Sequence, residues 1–127
     1  MTAIKNYYHK QLEWDSGPHL FLAVGSKNPN HDGIWQMTAL NETGIHAGYE
    51  WNRKSWGIEV VGNFDLKPWS PEQQELVYGV TLSLLRWRGI VPSKESVIGH
   101  REAPSKKTCP GKQIDMNKVR ADLASRY

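Results

Sequence analysis

The chain has 127 residues, of which 39% are hydrophobic and 23% charged. That is enough for one domain with a real hydrophobic core and too little for a second module. The formal net charge of +3 and a pI near 9.0 favour an anionic surface as partner, but the basic residues are scattered among acids with no nucleic-acid motif, and no apolar run approaches the ~20 residues of a membrane span.

In chain order, residues 3–12 suit a first helix, with Ile4, Tyr8 and Leu12 on one face. Residues 19–24 and 34–40 read as strands, separated by a polar turn holding Asn28-Pro29 and Asp32-Gly33. His46 leads into a loop that ends at a short strand over 57–61, apolar except for Glu59. A carboxylate there is costly unless it is paired or serves a purpose, and an edge strand facing water is the plain alternative. The clearest helix starts at Ser70 as N-cap, with Pro71 at the first helical position and Gln73 completing a capping box. Its expected apolar face is Leu76, Val77, Val80, Leu84 and Trp87, and Gly89 offers the stop. Residues 97–99 read as a strand delivering His100 to its end, and Asp115 caps a last helix with Val119 and Leu123 facing inward. Strands alternating with helices predict an α/β layer, with a ligand site at a strand's C-terminal end.

The segment from Gly99 to Gly111 reads Gly-His-Arg-Glu-Ala-Pro-Ser-Lys-Lys-Thr-Cys-Pro-Gly and carries the most information. His100 and the single cysteine, Cys109, flank a short polar loop, with Lys107 two residues before the sulfur. Imidazole and thiolate are ligand types that zinc prefers, and a catalytic zinc needs three protein ligands and an open position. One cysteine excludes an intramolecular disulfide, which suits a reducing compartment and leaves the thiolate for metal.

Together, His46-Ala-Gly, Asn52, the run Gly-Ile-Glu-Val-Val-Gly-Asn-Phe-Asp over 57–65 and the Gly-His-Arg-Glu to Lys-Thr-Cys-Pro-Gly block resemble one family. It is the zinc-dependent N-acetylmuramoyl-L-alanine amidases, the type shared by phage amidase endolysins, bacterial amidases and animal peptidoglycan recognition proteins. The resemblance implies an α/β fold with a single-layer mixed β-sheet flanked by helices, covering residues 1–127 as one domain. It implies zinc as cofactor, with His100 and Cys109 as two of three ligands, Glu59 as general base and Lys107 as the lysine that assists catalysis. His46 and Asn52 fall at positions that line the family's substrate groove. Peptidoglycan or muropeptides are the implied partners of a monomeric chain, without nucleic acid or membrane insertion.

The chain also departs from the family. The strand that carries the third ligand, a histidine ahead of the first helix, has no counterpart, so an N-terminally shortened amidase is expected. His9 matches a helix-end histidine, and His46 is the best substitute ligand. His19 reads as a core or edge residue and His31 as solvated. An incomplete ligand set should hold zinc weakly. The rival reading is a non-catalytic peptidoglycan-binding module of the same fold. Among six tryptophans, Trp14, Trp56 and Trp87 read as core, while Trp35, Trp51 and Trp69 neighbour loops. The N-terminus lacks the order of a signal peptide, so the expectation is a cytoplasmic chain, or one released to the wall at lysis if phage-encoded.

Overall fold

A computed structural model of the chain describes residues 17–25, 29–103 and 106–127. The helix expected over 3–12, His9 and Trp14 lie outside the described residues. Contacts divide the chain into two compact units, Met1–Val61 and Gly62–Tyr127.

The first unit is built on a three-stranded mixed sheet in the order β2-β1-β3. Strand β1 is Leu20–Ala23, β2 is Gly33–Gln36 and β3 is Ile58–Val60. β1 pairs antiparallel with β2 and parallel with β3. Register places Trp35 and Glu59 on either side of Phe21, and residues opposite one another share a face of the sheet. Phe21 and Ala23 form the buried core of that face, with Trp35, Met37 and Val61 packed against them. The second strand ends at Gln36 rather than Leu40. Just beyond it Met37 still donates to the His19 carbonyl, and Thr38 turns its hydroxyl to the Gly17 carbonyl at 2.9 Å. The loop expected after His46 contains a short helix, α1, Tyr49–Lys54. Lys54 Nζ lies 4.5 Å from the Trp51 ring centroid, a cation–π contact across one turn.

The second unit carries two helices, α2 at Pro71–Arg88 and α3 at Met116–Arg126. α2 begins as the sequence dictates. Ser70 Oγ accepts from the Gln73 N–H at 3.1 Å, and Gln73 Oε1 accepts from the Ser70 N–H at 2.8 Å. It ends at Gly89, which is left-handed with φ 65°. Asp115 caps α3 through the N–H groups of Asn117 and Lys118. The buried residues of α2 are Val77, Tyr78, Leu82 and Leu85, and those of α3 include Met116, Val119 and Leu123. Tyr78 donates to Asp122 at 2.7 Å, and the Glu75–Arg126 pair also joins the two helices, at 2.9 Å. Trp87 is corrected: it lies off the buried arc, 66% exposed.

The strand expected at 97–99 is absent, and the segment runs from a serine-stabilised turn into a 3₁₀ turn, His100–Glu102. The backbone groups a ladder would use are taken by side chains. Arg120 Nη1 donates to the Val97 carbonyl at 2.9 Å, and Glu102 Oε1 accepts from the Gly99 N–H at 2.9 Å. His100 therefore stands on a 3₁₀ turn and not at a strand end.

Candidate active site

His46 and Asn52 come together in the first unit. Asn52 Oδ1 accepts from two successive backbone N–H groups, His46 at 2.8 Å and Ala47 at 3.0 Å. One amide oxygen thus folds the His46-Ala47 corner over α1. The imidazole of His46 lies against Gly57, where a Cβ would sit 2.4 Å from the ring. Glycine is required at 57 because of this approach. His46 Nε2 is 3.2 Å from the Ser55 carbonyl.

Beside it, His19 is 1% exposed, with its ring centroid 5.6 Å from that of His46. Nδ1 of His19 accepts from the Gly57 N–H at 3.0 Å. A nitrogen that accepts carries no proton, so Nε2 bears the hydrogen and donates to the Glu42 carbonyl at 2.8 Å. Both ring nitrogens are committed to backbone, and the imidazole is neutral in this arrangement. The sequence expectation of a satisfied core residue holds here.

Glu59 lies on β3, an edge of the described sheet, and is exposed. It shares the face of Phe21 and Trp35, and none of the ion pairs among the described residues involves it. Removal of water by the protein around it raises its carboxyl pKa above the ordinary value of 4.5. A side chain that still reaches solvent with a raised pKa has the character asked of a general acid–base.

His100 and Cys109 come together in the second unit. The N–H of Arg101 donates to the Cys109 carbonyl at 2.8 Å, so the two segments lie side by side. Desolvation lowers the His100 pKa, and the positive charge of Lys107 lowers it further. The imidazole is thereby kept in the neutral form that binds metal. Cys109 is a free, exposed cysteine in a turn whose Cys109–Pro110 peptide is cis. In kind, a neutral imidazole and a thiol fit zinc. Among the described residues no group of three His, Cys, Asp or Glu side chains could hold a metal ion.

The turn is held by residues the motif reading did not single out. Arg101 Nη1 donates to the Gly111 carbonyl at 2.6 Å and Nη2 to that of Ile114. Asp65 accepts from the Thr108 hydroxyl at 3.0 Å and from the Lys112 N–H at 2.8 Å. Gly111 has φ 129°, and a Cβ there would meet Phe64 at 2.5 Å. The only sequence signal for these contacts was that Asp65 and Arg101 stand inside the two motif blocks.

The family profile described as N-acetylmuramoyl-L-alanine amidase matches residues 7–112. This chain belongs to that family. Among characterised relatives of this amidase-family chain, peptidoglycan-recognition protein SC2 of Drosophila simulans is 32% identical over 123 residues, 94% of this chain and 62% of the relative. Peptidoglycan-recognition protein SC1a of Drosophila melanogaster is 28% identical over 120 residues, 94% of this chain and 60% of the relative. The chain thus spans about three fifths of these relatives' length. In fold it is similar to N-acetylmuramoyl-L-alanine amidase LysC from Clostridium intestinale URNW, with a TM-score of 0.77 and 22% identity over 97% of this chain and 75% of that one. The endolysin amidase LysCS of the same organism aligns with a TM-score of 0.75 and 22% identity, over 94% of this chain and 71% of that one. The mixed sheet with helices expected from the sequence is therefore the amidase fold.

Proposed function

We propose that this chain hydrolyses the amide bond between N-acetylmuramic acid and L-alanine in bacterial peptidoglycan. The family profile across residues 7–112 carries the reading, because that range includes both motif blocks and spans both compact units. The same span supports treating the units as one domain. His100 and Cys109 would hold zinc as two of its three protein ligands. Zinc would polarise the amide carbonyl and bring the pKa of water from 15.7 to about 7. Glu59, with its raised pKa, would take a proton from the attacking water and return it to the leaving amine. Lys107 would stabilise the oxyanion. His46 and Asn52 would contact the muramyl peptide. Action in the cytoplasm, or at the wall after lysis, is part of the same proposal.

A second reading, peptidoglycan binding without cleavage, is favoured by the recognition-protein relatives and by the lack of a three-donor group among the described residues. One experiment separates them. The folded chain is incubated with zinc and purified muropeptides, and mass spectrometry follows release of the L-alanine-linked peptide, with binding measured in parallel by calorimetry. Cleavage lost on Cys109→Ser supports the amidase. Binding without cleavage supports the recognition module, and neither refutes both. Zinc is expected to be substoichiometric and lost on brief chelation. Tight, full occupancy would show that a third ligand completes the set.

A further inference from the structure

Cys109 is exposed, and an exposed thiol on a loop has no fixed direction unless the backbone carrying it is held. Two hydrogen bonds to one carboxylate hold it. Asp65 Oδ2 accepts from Thr108 Oγ1 at 3.0 Å, one residue before the cysteine. Asp65 Oδ1 accepts from the Lys112 N–H at 2.8 Å, three residues after it. The adjoining peptide reinforces the attachment: the Phe64 carbonyl accepts from the Gln113 N–H at 2.9 Å, and Gly111 is pressed against the Phe64 backbone. Donation from both groups holds the Asp65 carboxyl below the ordinary carboxylate range, with a smaller contribution from the charge of Lys112.

We propose that Asp65 is the positioning residue of the Cys109 turn: by gripping Thr108 and Lys112 together, it sets the direction in which the sulfur is presented to a metal. The metal role rests on the amidase reading, whereas the positioning of the thiol does not. Supporting contacts one step removed from metal ligands typically affect affinity by roughly 10–100-fold. The chemistry also ranks the variants. Asp65→Ala removes both acceptors. Thr108→Val keeps the side-chain shape and removes one hydroxyl. Asp65→Asn retains an oxygen for the Lys112 N–H and gains an amide that donates to the Thr108 hydroxyl oxygen, so it should restore most of the geometry.

The test uses the full chain and cadmium, a thiophilic stand-in for zinc, read by thiolate-to-cadmium charge-transfer absorption. Asp65→Ala should weaken cadmium binding roughly 10–100-fold, with Thr108→Val between it and wild type and Asp65→Asn within a few-fold of wild type. Glu75→Ala, which breaks an ion pair on α2, controls for lost stability and should leave the affinity unchanged. Wild-type affinity in folded Asp65→Ala overturns the proposal, as does equal weakening by Glu75→Ala. If the wild type itself gives no cadmium–thiolate band, the zinc reading fails, and the rate of Cys109 alkylation by iodoacetamide at one fixed pH decides the role of Asp65. Asp65→Ala and Thr108→Val should then change that rate in the same direction, with Asp65→Asn near wild type. Unchanged rates overturn it.

Discussion

Glu102 and Arg120 meet as a two-pronged pair across 18 residues: Nη1 to Oε1 at 2.8 Å and Nη2 to Oε2 at 2.9 Å. Neither is spent on the other alone. Glu102 also accepts from the Gly99 N–H, and Arg120 also donates to the Val97 carbonyl and to Asn117. The turn that presents His100 is therefore tied at both ends to the first turns of α3 by a planar fork that lysine would not reproduce.

The pair makes acid stability depend on Glu102, whose pKa falls from 4.5 to about 2, chiefly through its hydrogen bonds with Arg120. A carboxylate whose pKa is lowered on folding contributes fully above its unfolded pKa, and the contribution is lost as pH falls through the folded one. Urea unfolding should therefore show stability declining between about pH 4.5 and pH 2, with a flatter decline in Glu102→Gln. At neutral pH the substitution should cost about 1–2 kcal/mol. This is below the 3–5 kcal/mol of a fully buried pair, because Glu102 is one-third open to water. Identical acid profiles for the two proteins would show that the pair contributes nothing measurable.

His19→Leu keeps the volume near β1 apolar but orphans the Gly57 N–H and the Glu42 carbonyl. The Gly57 N–H is buried, whereas Glu42 is exposed and its carbonyl can turn to water. One unsatisfied buried group costs about 1–3 kcal/mol, so a loss of at least about 1 kcal/mol is expected. It should appear as a lower urea midpoint at unchanged slope. A loss under about 0.5 kcal/mol would mean that water or a shifted backbone satisfies the Gly57 N–H.

Asn52 acts on the His46 corner through an acceptor, and that distinguishes its variants. Asn52→Ala should weaken muropeptide binding by about tenfold or more, the effect of losing roughly 1.4 kcal/mol of loop organisation. Asn52→Asp, which retains the acceptor for the His46 and Ala47 N–H groups, should recover most of it. Lys94→Ala, on an exposed turn, is the control. Equal binding by all three proteins would remove the His46 corner from the substrate groove.

Glu59→Gln should lower turnover on muropeptides by roughly 10²–10⁴-fold, the usual contribution of a general base, with metal content unchanged. The raised pKa adds a pH signature: the wild-type rate should fall on the acid side at a pH above the ordinary carboxylate range, and that limb should vanish in the variant. Near-normal peptide release by Glu59→Gln would take the residue out of that role.

What the sequence determined by itself was local. The Ser70–Gln73 box, Pro71, the Gly89 stop and the Asp115 cap each involve groups within four residues of one another, so their chemistry can be read from adjacent letters. The apolar run around Glu59 marked β3, and the two motif blocks marked His100, Lys107 and Cys109. Tertiary structure decided whatever depended on which segments meet. Residues 97–99 are apolar enough for a strand, but Arg120 and Glu102 claim their backbone groups. Trp87 fits the helical period of an apolar stripe, but the buried arc of α2 is set by its contact with α3. Asp65 became a support for Cys109 only because the chain returns 43 residues later to place Thr108 beside it. Such pairings cost conformational entropy in proportion to no local pattern, and they exist only where the packed core holds both partners in place.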